Sequence, residues 1–171
     1  MKVSMHAMSV EVFTEALGNL SLILEKASAS AAQRKYDAGV LLSARLAPDM
    51  LPLTRQVQIA GDIAKNSVAR LARQEPPRFE DTETTIELLR ARLARTIDFL
   101  NSIPASALEG SDTRDVKVPV GERTLEFKGL EFLRRWAIPN VFFHVTTAYD
   151  ILRHNGVELG KRDFLNGGRD W

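Results

Sequence analysis

Apolar residues recur along the first third of the chain at helical spacing. Phe13, Leu17, Leu20, Leu24, Ala27 and Ala31 stand 4-3-4-3-4 apart, which puts them on one stripe of a helix. The pattern predicts that helix from about Ser9 to Arg34, with Glu11, Glu15, Glu25 and Lys26 off the stripe. Asp37 is placed to cap a shorter apolar piece, Ala38 to Leu46, and the run from Ala47 to Pro52 then breaks the chain. A second long helix is expected from about Leu53 to Arg73, packed through Val57, Gly61, Ala64, Val68 and Leu71. Small Ala60, Gly61 and Ala64 let a neighbour come close. Pro76 and Pro77 exclude helix from the loop that follows. Asp81 or Thr82 caps a third helix to about Ser102, with Ile86, Leu89, Leu93, Ile97 and Leu100 inward. Its outer face, with Glu87, Arg90, Arg92 and Arg95, reads as solvated.

The period then changes. Val116, Val118 and Val120 alternate with polar residues, Gly121-Glu122 can turn, and Leu125 and Phe127 alternate again. That predicts a β-hairpin over about 115–128, with Pro119 marking an edge strand. A fourth helical region is expected from Leu130 to Asn155, stopped by Gly156 and kinked or restarted at Pro139. The tail, about 160–171, is expected to be loose, with Phe164 and Leu165 docking. Four amphipathic helices that bury one stripe each make an all-α four-helix bundle. The expectation is one domain over 1–171 with a small hairpin before the last helix.

Composition narrows the partners. The 171 residues are 44% apolar and 26% charged with a net charge of +1, which supplies no long-range field to recruit nucleic acid or an anionic membrane. The absence of cysteine removes disulfides, thiolate nucleophiles and cysteine-based zinc sites. The N-terminus lacks a sustained apolar region of the kind that marks a secretory leader. No run of about 20 apolar residues suggests a membrane span. A cytoplasmic protein with neither nucleic-acid nor membrane partners is expected.

Candidate chemistry concentrates on the fourth helix. Asn140 and His144 lie four residues apart, so an amide and an imidazole share one face of an apolar helix. Thr147 and Ile151 continue that face. His154 is about 80° away in azimuth and about 15 Å further along the axis, too far to share an ion with His144; it reads as a helix C-terminal residue favoured by the dipole. On the second helix, Gln58, Asp62 and Asn66 repeat every fourth residue. That series is either a solvated polar face or, with Gln58 and Asp62 turned into a cleft, a carboxylate that accepts from His144 and raises its pKa. Neither a nucleophile elbow nor a glycine-rich phosphate loop is present.

The stretch Pro139 to Lys161, together with Ala47 to Asp62 and Phe79 to Thr85, resembles an uncharacterised bacterial domain-of-unknown-function family placed in the DinB/YfiT-like superfamily. The resemblance covers nearly the whole chain. It implies a four-helix bundle, often dimeric, with its site between the helices. Characterised superfamily members include metal-dependent transferases and isomerases that use low-molecular-weight thiols. Their metal triad is one histidine on the second helix plus a His-x-x-x-His pair on the fourth. His144 matches the last histidine, while Asn140 and Asp62 stand at the other two positions, so the triad is incomplete. A divalent ion is the cofactor the resemblance admits, on His144 and Asp62, although an amide and a single imidazole make a poor zinc set.

Three functions follow. The first is a transferase or hydrolase acting on a small molecule, with His144 and Asp62 catalytic and Asn140, Gln58 and Thr147 binding the ligand. The second is a non-catalytic small-ligand-binding protein using the same residues. The third is a structural dimer in which the polar trio fixes helix register. A homodimer is expected because Phe142, Val145, Tyr149 and Leu152 form a second apolar face, away from His144, that pairing would cover.

Overall fold

The computed structural model describes residues 3–170. The first helix opens with a π-helical turn, Ala7–Glu11, and continues as α1, Val12–Gln33. A one-turn α2, Gly39–Leu42, follows, and the Asp37 carboxylate accepts from Gly39 N at 2.9 Å as the sequence suggests. Helix α3 is Leu53–Ala72 and α4 is Ile86–Asn101. The third long helix starts later than expected, because Thr85 rather than Asp81 or Thr82 is its cap, accepting from Leu88 N at 3.2 Å. Asp81 is occupied elsewhere. After a 3-10 turn, Ala105–Leu108, come β1, Asp115–Val120, and β2, Arg123–Lys128. They pair antiparallel, with Val116 opposite Phe127 and Val118 opposite Leu125. The two-residue turn places Gly121 at φ 56°, a left-handed geometry that favours glycine.

The last long run is α5, Gly129–Phe132, a second π-helical turn, Leu133–Ala137, and α6, Ile138–His154. Pro139 lies in the first turn of α6. Its ring cannot donate and crowds the carbonyl four residues back, and the widened turn just before it accommodates both defects. The chain stays helical through the proline.

Packing follows the stripes. Helix α1 lies against α4 and α6, and α3 lies against the same two. Phe13, Leu17, Val57, Leu89, Leu93 and Ile151 are fully buried between them; each such side chain contributes about 1.5–3 kcal/mol. Gly61 lets α4 approach, since a Cβ there would already touch Thr96 Oγ1 at 3.4 Å. Contrary to the expectation from apolar runs, the stretch Ala7–Gln33 is long and apolar enough by composition to cross a membrane, but half of its most apolar window is buried in the fold. Its apolar stripe is core.

The tail is helical where a loose end is expected, and of its two expected docking residues Phe164 packs inward while Leu165 stays exposed. Lys161–Asn166 form α7, docked on α1. Asp163 accepts from Gly160 N at 2.8 Å and pairs with Lys26, and Asn19 donates to the carbonyls of Phe164 and Leu165. Phe164 packs on Phe142 and Tyr149 with ring centroids 6.4 and 6.0 Å apart. On the second apolar face of α6, on which the expectation of pairing rests, Val145 and Leu152 are buried, while Phe142 and Tyr149, against which Phe164 packs, remain half-buried. Trp171 lies outside the described residues.

Gly129 is the tightest backbone approach. A Cβ there would collide with the carbonyl of Ser111 and crowd Leu71 at 3.1 Å. Gly129→Ala is expected to destabilise the fold by about 1–3 kcal/mol, seen as a lower urea midpoint at unchanged slope. An unaltered midpoint would show that the hairpin-to-α5 junction gives way freely.

Candidate functional site

His144 is 9% exposed on the α6 face turned to α3. Its Nδ1 stands 2.7 Å from Gln56 Oε1. The Gln56 amide nitrogen donates to the Leu51 carbonyl at 3.0 Å, so the amide oxygen is the atom that meets the ring. Nε2 makes no hydrogen bond to the described residues and is not sealed from solvent. Phe143, 57% exposed, sets its ring edge-on to the imidazole with centroids 5.2 Å apart. Asn140 is half-buried one turn before His144. Thr147 is buried, but its hydroxyl donates back to the Phe143 carbonyl at 2.7 Å, so it has no free proton for a ligand. Burial pushes the His144 pKa below its ordinary value, which favours the neutral ring.

Asp62 does not pair with His144. One carboxylate oxygen accepts from Arg92 at 3.0 Å and the other from Lys65 at 3.0 Å. Gln58 turns into the protein, as one reading of the sequence has it, but toward α4 and the loop before it. It donates to Glu83 at 2.7 Å and accepts from Arg55 at 2.7 Å. Rotation of 100° per residue explains the split: Gln58 and Asp62 share a face of α3, and Gln56 lies about 160° round from Gln58. The helix itself stands between the two polar groups.

The second group is organised by Arg92, whose side chain is wholly buried. Its guanidinium donates to Glu83 at 3.1 and 3.3 Å and to the Glu80 carbonyl at 2.9 Å, and Nη2 meets Asp81 at 3.0 Å as well as Asp62. Arg55 also pairs with Asp81. The ring of Phe79 lies under Lys65 Nζ at 4.3 Å and Arg95 at 4.5 Å, within cation–π range. The loop between α3 and α4 is thus clamped onto both helices. Burial opposes the Arg92 charge, but Asp62, then Glu83 and Asp81, outweigh it and hold its pKa above the ordinary guanidinium value. Burial likewise pushes the Glu83 carboxyl up, while hydrogen bonds from Gln58 and Arg92 outweigh it and keep the carboxyl below its ordinary range.

The solvated outer face expected for the third long helix is therefore corrected at Arg92. Gln56, Arg92 and Glu83 carry no signal in the apolar period, since each occupies a position where a polar residue is unremarkable. Glu83 lies within the Phe79–Thr85 stretch of the resemblance, but only packing reveals its partner. His6 bonds Glu11 at 3.2 Å, and His154 sits in the last turn of α6. Among the described residues no three His, Cys, Asp or Glu side chains are grouped to hold a metal. With Asp62 committed to two cations and Asn140 an amide, the residues at the superfamily's metal positions do not fit a divalent ion.

Removing the Arg92 charge should be costly. Arg92→Leu leaves Glu83 and Asp62 without their shared cation and is expected to cost about 3–5 kcal/mol. Arg95→Ala, on a side chain 57% exposed, should cost under about 1 kcal/mol. The Glu83 contribution to stability is complete above its unfolded value near 4.5 and is lost as pH falls through the lower folded value. Denaturant titrations from pH 7 to 3 should show that acid loss in the native protein and a weaker one in Arg92→Leu. Equal stability of the Arg92→Leu variant and the native chain would show that the clamp does not hold the loop.

Residues 5–165 match the family described as Domain of unknown function (DUF1993). The chain is also similar to a solved structure, the crystal structure of a DinB family member protein from Shewanella denitrificans. The two are 44% identical with a TM-score of 0.87, over 94% of this chain and 90% of that one. No curated protein matches the chain significantly. The family match runs over nearly the whole length and the solved relative is alike in both sequence and fold, so the chain belongs to the DUF1993 domain family, a DinB-like family.

Proposed function

We propose that this protein is a DinB/YfiT-like four-helix bundle that takes a small molecule at the α3–α6 face through His144, without a resident metal. The observation that carries the reading is the setting of His144: a buried imidazole, gripped at Nδ1 by Gln56, with Nε2 left unbonded among the described residues. A neutral Nε2 accepts a proton or a hydrogen bond. Asn140, one turn away, supplies an amide that Gln56 and Thr147 leave unengaged, because both bond elsewhere. Phe143 offers an exposed aromatic wall beside the ring. The arrangement suits a hydrolase or transferase in which His144 is the general base. The same contacts serve a non-catalytic binding protein, and turnover of a bound compound separates the two.

Asp62 has a different role in this reading. Its two cationic partners make it part of the polar network that holds α3, α4 and their loop in register, the structural alternative drawn from the sequence, with Arg92 in place of His144.

Screening a small-molecule library by thermal shift against the native protein and His144→Gln tests the proposal. Compounds that stabilise the native chain should bind the variant about tenfold more weakly, the loss of one hydrogen bond. Their affinity should be constant through neutral pH and fall only in acid, below the ordinary histidine value of 6.5, as Nε2 becomes protonated. Compounds binding both chains alike would move the site away from His144.

The metal question has its own measurement. Chelator should leave the melting temperature unchanged, and elemental analysis should find no stoichiometric zinc, nickel or iron. A near-equimolar metal lost in His144→Ala would reverse the reading.

A further inference from the structure

We infer that Gln56 is the positioning residue of this site: locked by the Leu51 carbonyl, it sets the His144 tautomer and makes Nε2 an obligatory acceptor. The ligand it selects therefore presents a hydrogen-bond donor, an O–H or N–H group, rather than an anion. The inference rests on the His144 reading above and deepens it.

Two hydrogen bonds in series fix the ring. A glutamine amide has two chemically opposite ends, and in isolation either could face an imidazole. Here the Leu51 carbonyl, an acceptor only, lies 3.0 Å from the Gln56 amide nitrogen. That contact orients the amide, because reversing it would put two oxygens against each other. Gln56 Oε1 is thereby the atom 2.7 Å from His144 Nδ1. An amide oxygen cannot donate, so Nδ1 carries the proton and the neutral ring keeps its lone pair at Nε2. Gln56 itself is 2% exposed, so water does not compete for either bond. Burial is what lowers the His144 pKa, and no carboxylate among the described residues pairs with the ring to oppose it. A ring that is neutral with its lone pair outward repels a carboxylate or phosphate oxygen and accepts from a hydroxyl or amine. A carboxylate in place of Gln56 would hold the same tautomer but favour the charged ring.

The tautomer can be measured without any ligand. Long-range proton–nitrogen NMR of the native protein at neutral pH should show His144 as one neutral species, protonated at Nδ1. Gln56→Leu should shift the ring to a mixture of both tautomers, a change of about tenfold in their ratio for one hydrogen bond lost. Gln56→Glu gives up the bond to the Leu51 carbonyl but keeps an acceptor at Nδ1, so it should restore the Nδ1-protonated form and, through its charge, raise the titration midpoint of His144 above the native one. The restoration distinguishes positioning from simple filling of space, and it keeps the test alive if Gln56→Leu fails to fold. A native ring protonated at Nε2 overturns the inference, as does an unchanged tautomer in Gln56→Leu or an unchanged midpoint in Gln56→Glu. Failure of ligands to sense His144→Gln would sink the functional reading instead, and leaves these spectra to be judged on their own.

Discussion

A single buried guanidinium ties the loop between α3 and α4 to both helices. Arg92 projects from α4 into a space bounded by α3 and the loop that joins them, and it meets carboxylates from both. Taking that charge out of water costs several kcal/mol before any partner is counted. The cost is offset because nearly every donor is used: two contacts reach Glu83, one the Glu80 carbonyl, and others Asp62 and Asp81. Only Nε stands buried without a partner. The position of the loop, and of Phe79 beneath two further cations, follows from satisfying this one group.

The clamp also decides what α3 can do for the site. Helix α3 is polar on two nearly opposed sides, and neighbours on each side claim one of them. Gln58 and Asp62 go to α4 and its loop, where charge is balanced by charge. Gln56 goes to α6, where a neutral amide meets a neutral ring. The two sides therefore work in different electrostatic regimes. Around Arg92, ionised groups hold one another ionised; around His144, burial without a nearby counter-charge holds the ring neutral. The carboxylate that the resemblance sets near a metal position, Asp62, is committed to the first regime.

The end of the chain follows the same rule that an apolar face must find a cover. Helix α7 docks on α1 through Asn19 and Lys26, and from there Phe164 reaches the rings of Phe142 and Tyr149 on α6. A six-residue helix thus sets one aromatic ring against Phe142 and Tyr149 on that face.

Much of the fold was legible in the order of residues. The stripe of α1, the packing positions of α3 and the inward leucines of α4 all follow from period alone, since burying one side of a helix constrains every third or fourth residue. The hairpin followed from alternation and a glycine turn, and Asn140, His144 and their shared face from spacing along one helix. These are local properties, fixed by backbone geometry within a few turns. The partners of the polar residues were not local. That Asp62 would find Arg92, that His144 would find Gln56, and that Glu83 would be buried at all depended on which face of α3 each neighbour took. A polar side chain satisfies any complementary group that packing brings within about 3 Å, and residue type does not say which one arrives. Sequence determined where the helices lie and which of their faces are apolar; the tertiary structure alone chose the pairings between them, because buried polar groups are matched across elements and not along the chain.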